Sequence, residues 1–165
     1  LNIVDLGTGS GCIIISLFQE YINASGIGVD ISQSAIDIAN MNKALLANPK
    51  RLEFIKDDFS NYNLNNFDII IANPPYISYE DTNLQNSVNK YEPHLALFSE
   101  KNGLDFYEKI LNNASTVNSN QFYLFLEIGI GQEVEVSNLL NNNNFTIVSV
   151  ESDLAKIPRC IVAKK

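Results

Sequence analysis

Cysteine and histidine are scarce in this sequence, which has only Cys12, Cys160 and a single histidine. A disulfide framework or a zinc site needs more of these residues at defined spacings. Because each cysteine lies in an apolar stretch, we expect two small buried thiols in a reducing compartment. We therefore expect neither a disulfide scaffold nor a metal site.

Positive charge is also in short supply. The chain has 11 Lys and Arg against 19 Asp and Glu, a net charge of −8 and a pI near 4.5. A broad nucleic-acid surface has to neutralise phosphates with Lys and Arg. This charge balance predicts no stable binding of nucleic acid.

Long apolar runs are missing as well. None approaches the ~20 residues that cross a bilayer, and no secretory signal precedes the first predicted strand. We therefore expect a cytoplasmic protein with no membrane partner. The sequence begins with Leu1 inside a strand-like run and not with Met, so we expect that an upstream segment has been removed.

The residues that are present alternate between strand and helix patterns. The length of 165 residues and the 45% apolar content suit one domain, residues 1–165, with a single core. Strands are predicted at 2–6, 26–30, 52–55, 67–71, 122–128, 145–150 and 160–163. Helices are predicted at 12–21, 104–114 and 134–140, and another is capped by Ser32 and ended by Asn48-Pro49. Near-continuous apolar strands between helices predict an α/β fold with a parallel sheet covered on both faces. The last two strands, joined by a short loop, are predicted to be antiparallel.

A glycine-rich turn, DLGTGSG at 5–11, follows the first strand and opens the first helix. Glycines at alternate positions let backbone N–H groups approach a ligand beside a helix N-terminus, which attracts negative charge. Asp30 ends the second strand, where an acid can accept hydrogen bonds from both hydroxyls of a ribose. Asp57 and Asp58 end the third strand. A tight turn that binds nothing is the alternative for the glycine segment alone.

Together these features predict a nucleoside-bearing cofactor across the carboxyl ends of the strands. The glycines stand at 7, 9 and 11, and not in the G-x-G-x-x-G spacing of dinucleotide folds, which weakens an NAD interpretation. An amino-acid carboxylate suits a helix N-terminus as well as a phosphate does. S-adenosylmethionine therefore fits the pattern.

The segment IIIANPPYI at 69–77 ends an apolar strand with an amide, two prolines and an aromatic ring. Asn73 is predicted at the same sheet edge as the cofactor, and Pro74 and Pro75 stiffen the turn because proline fixes φ and lacks an N–H. The Asn73 side-chain oxygen and the Pro74 carbonyl can each accept one N–H of an NH₂ group, while Tyr76 stacks on its plane. The alternative is a proline-rich loop that merely ends a strand.

These motifs resemble those of the HemK-type (PrmC) methyltransferases, which methylate a glutamine amide of peptide-chain release factors in translation termination. The resemblance rests on GTGSG (7–11), VD (29–30), NPPYI (73–77), YEPHLAL (91–97), GLDFY (103–107) and LEIG (126–129) with Gln132. It implies a Rossmann-like class I fold that depends on S-adenosylmethionine, with a mostly parallel seven-stranded sheet, helices on both faces and an antiparallel last strand. It also implies that the target is the glutamine of a Gly-Gly-Gln motif.

The resemblance assigns roles residue by residue. The implied cofactor contacts are Gly7, Thr8, Gly9, Ser10, Gly11, Asp30, Asp57, Asp58 and Asn73. The implied substrate contacts are Asn73, Pro74, Pro75 and Tyr76, of which Asn73, Pro74 and Tyr76 are catalytic. Asp58 departs from the large or apolar residue common there, and the family's small N-terminal helical domain is absent from this chain.

Two other functions fit parts of the pattern. A DNA or RNA adenine-amino methyltransferase uses the same NPPY clamp on a flipped base, although the acidic charge counts against it. A cofactor-binding module without catalysis is the second, although the retained Asn73 and Tyr76 count against that.

Overall fold

The computed structural model describes residues 1–46, 50–74, 77–78, 98–99, 103–118 and 121–165. Strands and helices alternate along most of this part of the chain. The strands are β1 (Asn2–Leu6), β2 (Ser25–Asp30), β3 (Leu52–Lys56), β4 (Ile69–Ala72), β5 (Ile77–Ser78), β6 (Phe98–Ser99), β7 (Tyr123–Glu127), β8 (Thr146–Ser152) and β9 (Pro158–Lys164). The helices are α1 (Cys12–Glu20), α2 (Gln33–Leu46), α3 (Asp105–Ser115) and α4 (Glu133–Asn142).

Seven of these strands form one sheet in the order β3-β2-β1-β4-β7-β9-β8. Strands β3, β2, β1, β4 and β7 are parallel, and β9 runs antiparallel to both of its neighbours. The predicted mostly parallel sheet and the antiparallel pair at the end of the chain are confirmed. The short parallel pair β5–β6 was not predicted.

The strand order reverses between β1 and β4, and this reversal positions the candidate site. Leu6 at the end of β1 pairs with Val29 of β2 on one side and Ala72 of β4 on the other. The connections after β1 and β4 leave the sheet towards opposite ends of this order. A crevice opens at such a switch point at the carboxyl ends of the strands.

Both faces of the sheet are covered by apolar side chains from helices. Ile3 and Ile71 pack on one face with Ile14 and Phe18 of α1. The residues that alternate with them face the other side, where the core includes Val4, Ile70, Tyr107, Ile110, Leu111, Leu124, Val136 and Leu140 from the sheet, α3 and α4. Burial of one such side chain contributes about 1.5–3 kcal/mol. The predicted burial of the sheet on both faces is confirmed.

Element boundaries differ from the sequence patterns by at most two residues. Strand β4 begins at Ile69 and not at residue 67, and the carboxylate of Asp68 just before it accepts the N–H of Asn2 at 2.7 Å. Strand β9 begins earlier than predicted because its ladder with β8 extends to the pair Ser152–Pro158. Helix α2 begins after Ser32, whose Oγ accepts the N–H of Ala35 at 3.3 Å as a capping side chain does.

The expectation of two buried thiols was wrong. Cys12 is exposed and Cys160 is half-buried. Cys12 is the first residue of α1, and the buried stripe of that helix is formed by Ile14, Ile15 and Phe18. An apolar neighbourhood in the sequence therefore did not place the thiol in the core.

In the described ranges, no helix has the length and apolar character needed to cross a bilayer.

Candidate active site

The glycine turn is tied to the end of β2 by backbone hydrogen bonds. The N–H groups of Gly7 and Thr8 both donate to the carbonyl of Val29, at 2.8 and 3.0 Å. Gly9 and Gly11 have φ angles of 55° and 77°, a left-handed region that L side chains rarely adopt. A Cβ added at Gly9 would meet nothing within 4 Å. The turn therefore presents bare backbone to open space, as a ligand cradle requires.

Asp30 completes the turn from the neighbouring strand. Its Oδ2 accepts the N–H of Gly9 at 2.9 Å, and its Oδ1 accepts the N–H of Ser32 at 2.9 Å. An ionised carboxylate has about four acceptor sites, so both oxygens can accept further bonds. The structure thus brings the predicted glycine turn and the predicted ribose-binding acid into direct contact.

A buried carboxyl group lies beneath the turn, and its role was missed at the sequence level. Asp5 is 2% exposed and its Oδ2 accepts the hydroxyl of Thr8 at 2.7 Å. Burial raises the pKa of Asp5 from 3.8 to about 6, the Thr8 hydrogen bond opposes this rise, and the charge of Asp30 adds to it. A polar residue inside an otherwise apolar strand was the available signal.

Side chains from two distant segments of the chain also contact the glycine turn. The side-chain amide of Asn42 in α2 donates to the carbonyl of Ser10 at 3.0 Å. The Phe54 ring from β3 packs so closely that a Cβ added at Gly11 or Gly28 would lie 2.7 or 2.5 Å from it. No sequence pattern singles out Asn42, whereas a glycine inside a strand, such as Gly28, is a general sign of close approach.

Asp57 and Asp58 lie on the rim beside Asp30. The N–H of Asp57 donates to the carbonyl of Asp30 at 3.0 Å. Each side chain bonds the backbone just ahead of it, because Oδ1 of Asp57 accepts the N–H of Asp58 at 2.7 Å and Oδ1 of Asp58 accepts the N–H of Ser60 at 2.9 Å. Both residues are exposed. Their contact with an adenine stays a prediction.

The predicted acceptor end follows β4. Asn73 is exposed and Pro74 is buried. Since Ala72 pairs with Leu6, Asn73 emerges next to the start of the glycine turn. Pro75, Tyr76 and the YEPHLAL segment at 91–97 lie outside the described residues, so the complete clamp stays a prediction.

The arrangement has two halves with different chemistry. The first half consists of the glycine turn, Asp30 and the N-terminus of α1. It suits a ligand that combines a ribose with a carboxylate, because the first helical turn of α1 has no acidic residue to repel the carboxylate. Asn73 provides a polar acceptor at the adjoining sheet edge. Among the described residues, no group of His, Cys, Asp and Glu is arranged to hold a metal ion.

Comparison with solved structures agrees with this architecture. The chain matches an S-adenosylmethionine-dependent methyltransferase from Aquifex aeolicus with a TM-score of 0.67 at 17% identity, covering 99% of this chain and 81% of that one. A magnesium protoporphyrin IX methyltransferase from Synechocystis, whose structure contains bound S-adenosylmethionine, matches with a TM-score of 0.66 at 18% identity, covering 99% of this chain and 69% of that one. These likenesses confirm the Rossmann-like methyltransferase fold.

Sequence comparison finds relatives with higher identity and more specific names than those of the solved structures. The chain is 42% identical to a bifunctional methyltransferase of Rickettsia conorii, covering 98% of this chain and 31% of that protein. It is 41% identical to a release factor glutamine methyltransferase of Lactococcus lactis, covering 99% and 61%. The similarity to release factor glutamine methyltransferases expected from the motifs is confirmed. The chain spans less than two thirds of the length of these relatives.

The family comparison covers most of the chain. A family model described as a methyltransferase domain matches residues 1–149, which include the glycine turn, Asp30, Asn73 and the sheet up to β8. The match extends over nine tenths of the chain and over both halves of the candidate site. The chain belongs to the methyltransferase domain family.

Proposed function

We propose that this chain binds S-adenosylmethionine and methylates the side-chain amide nitrogen of the glutamine in the Gly-Gly-Gln motif of peptide-chain release factors. The observation that carries the proposal is the pairing of β1 with β4, which sets Asn73-Pro74 beside the glycine turn. Relatives from Lactococcus lactis and Fusobacterium nucleatum, 41% and 38% identical and named release factor glutamine methyltransferase, support this target.

The described residues fit the proposed cofactor. Backbone N–H groups at the N-terminus of α1 donate hydrogen bonds to its carboxylate, and the carboxylate of Asp30 accepts hydrogen bonds from its ribose hydroxyls. Asp57 and Asp58 flank its adenine, and the open space at Gly9 leaves room for the chain between them. When bound, the cofactor supplies a methyl group on a positively charged sulfur.

The acceptor half works through orientation. The side-chain oxygen of Asn73 and the carbonyl of Pro74 each accept one N–H of the glutamine amide, while Pro75 stiffens the turn and Tyr76 stacks on the amide plane. These contacts turn the nitrogen lone pair towards the methyl group. Good positioning of two reactants can lower the activation barrier by about 7–11 kcal/mol. Neutral acceptors suffice, because an amide nitrogen that has accepted a methyl group is strongly acidic.

The same proposal covers partners and location. A release factor as protein substrate places the activity in the cytoplasm. The net charge of −8 supports the expectation that nucleic acid is not stably bound. The adenine-amino alternative is not favoured, because several relatives at 36–41% identity are named release factor glutamine methyltransferase.

The test is transfer of a radiolabelled methyl group to purified release factor. The control is the same factor with its Gly-Gly-Gln glutamine replaced by alanine. We expect label on the native factor and none on the control. Equal labelling of both would reject the target. Labelling of adenine in DNA or RNA, but not of the factor, would favour the alternative. Cofactor binding without any transfer would favour the non-catalytic module.

A further inference from the structure

A buried tyrosine holds the end of β7 in place. Tyr107 in α3 is fully buried, and its hydroxyl lies 2.9 Å from the carbonyl oxygen of Glu127 and 3.2 Å from Oε1 of Gln132. The same Oε1 accepts the N–H of Gly129 at 2.9 Å. We call these interactions, between the side chains of Tyr107 and Gln132 and the backbone at 127–129, the Tyr107–Gln132 clamp.

The clamp lies beside the acceptor half of the candidate site. Ala72 of β4 pairs with Leu126 of β7, so Asn73 and Glu127 are the next residues along two parallel strands. On the far side, the N–H of Ile128 donates to the carbonyl of Arg159 in β9 at 2.9 Å. The backbone that neighbours Asn73 is therefore held by α3 on one side and β9 on the other.

The hydroxyl of Tyr107 is not needed to fill the core. Its ring packs in the same apolar cluster as Ile110, Leu111 and Ala114, where a phenylalanine would occupy nearly the same volume. A hydroxyl in such surroundings costs free energy unless it is hydrogen-bonded. Its hydrogen bond to the carbonyl of Glu127 therefore fixes the position of the end of β7 relative to α3, while the ring packs in the core.

We propose that Tyr107 and Gln132 are positioning residues for methyl transfer, which set the sheet edge from which Asn73 projects. This inference rests on the proposed function. The glycine turn of the cofactor half is held by other hydrogen bonds, which it donates to oxygens of Val29, Asp30 and Asp5. Loss of the clamp therefore acts on the reaction of the acceptor and leaves cofactor affinity unchanged.

The experiment compares Tyr107→Phe and Gln132→Met in the complete gene product. Calorimetry gives the Kd for S-adenosylmethionine, steady-state kinetics give kcat and KM for release factor, and hydrogen exchange follows the amide of Gly129. We expect kcat to fall by about 10- to 100-fold, since a displacement near 1 Å can cost about 100-fold. We expect the cofactor Kd to change by less than about twofold and the Gly129 amide to exchange faster.

Two controls separate positioning from general stability. Ile110→Val trims a buried side chain of the same helix, and it lowers the melting temperature without touching the clamp. Tyr123→Phe removes a hydroxyl from the opposite, exposed end of β7. Both controls are expected to keep the kcat of the native protein. The double variant Tyr107→Phe/Gln132→Met is expected to lose less than the product of the two single losses, because both side chains act in one network.

The outcomes distinguish this inference from the proposed function. If the native protein methylates release factor and the kcat of Tyr107→Phe is no lower than that of Ile110→Val, the positioning role of Tyr107 and Gln132 is overturned and the proposed function stands. An equal loss of cofactor affinity and kcat in Tyr107→Phe would also overturn the positioning role. Native protein that binds cofactor but leaves release factor unmethylated would overturn both.

Discussion

The backbone N–H of Gly9 donates a hydrogen bond of 2.9 Å to Oδ2 of Asp30. This contact joins the turn after β1 to the end of β2, across 21 residues of sequence. Asp30 therefore orders the glycine turn before any ligand arrives, and it retains acceptor capacity for a ribose. Preorganisation of this kind lowers the entropy cost of binding.

Replacing Asp30 by alanine removes the acceptor for Gly9 and Ser32 and the proposed acceptor for the ribose. Hydrogen bonds to a charged group contribute about 1.5–3 kcal/mol, which corresponds to a Kd for S-adenosylmethionine raised about 10- to 150-fold. Calorimetric titration measures this. Asp37→Ala, at an exposed position of α2, is the matched control and should bind normally. A change below about twofold in Asp30→Ala would contradict the assignment.

Replacing Asn73 by alanine is expected to remove turnover and leave cofactor binding largely intact. Asn73 is exposed beyond β4 and acts mainly on the acceptor nitrogen in the proposed reaction. Removal of one preorganised hydrogen-bonding group typically costs about 100- to 1,000-fold in kcat. Methyl-transfer rates and the cofactor Kd are measured side by side. Asn112→Ala, exposed on α3, is the control. Parallel loss of both quantities would show that Asn73 serves the cofactor instead.

Gly9→Ala and Gly11→Ala form a matched pair. Both residues have positive φ, so an alanine at either is strained by about 1–2 kcal/mol. The Cβ at Gly11 also meets the Phe54 ring at 2.7 Å, and overpacking adds about 1–3 kcal/mol. Urea unfolding should therefore show the larger loss of stability in Gly11→Ala. Titration with cofactor should show a clear loss of affinity in Gly9→Ala, whose Cβ enters the open cradle. Native cofactor affinity in Gly9→Ala would show that the ligand lies elsewhere.

Asp5→Asn is expected to stabilise the ligand-free protein at neutral pH. Burial raises the pKa of Asp5 to about 6, so between about pH 4 and pH 6 the unfolded chain ionises this group while the folded chain keeps its proton. The contribution of Asp5 to the free energy of unfolding therefore falls through this window and is level above it. One pKa unit is about 1.4 kcal/mol, so the full penalty is on the order of 3 kcal/mol.

Thermal unfolding of both proteins from pH 4 to pH 8 measures this effect. The asparagine can still accept the Thr8 hydroxyl, so the advantage of Asp5→Asn should grow from pH 4 to pH 6 and then stay constant. A difference that is independent of pH would show that Asp5 ionises normally in the fold.

Asp153→Asn is expected to show the opposite dependence on pH. Hydrogen bonds from the Ile157 N–H, the Arg159 side chain and the Ala155 N–H hold the pKa of Asp153 below its ordinary value. Its contribution to stability is therefore present at neutral pH and is lost as the pH falls through the folded pKa. The variant should melt lower than the native protein at pH 7, and the gap should close in acid. A gap that persists unchanged in acid would contradict this account.

Short-range patterns carried much of the prediction. Apolar runs of strand length, helical spacing and glycine or asparagine breaks identified the seven sheet strands, because these signals depend on neighbouring residues only. The turn at 7–11 and Asp30 were identified as a pair because both follow strands, and parallel strands present their carboxyl ends at one edge.

The sequence alone therefore determined the alternation of elements, the glycine turn and the residues at the strand ends. Only the tertiary structure decided that Asp5 is buried beneath the turn, that Asn42 reaches Ser10, and that Tyr107 holds Glu127. These contacts join residues whose separation follows from how helices cross the sheet. No periodicity records such a crossing, because its geometry is set by packing of the whole core.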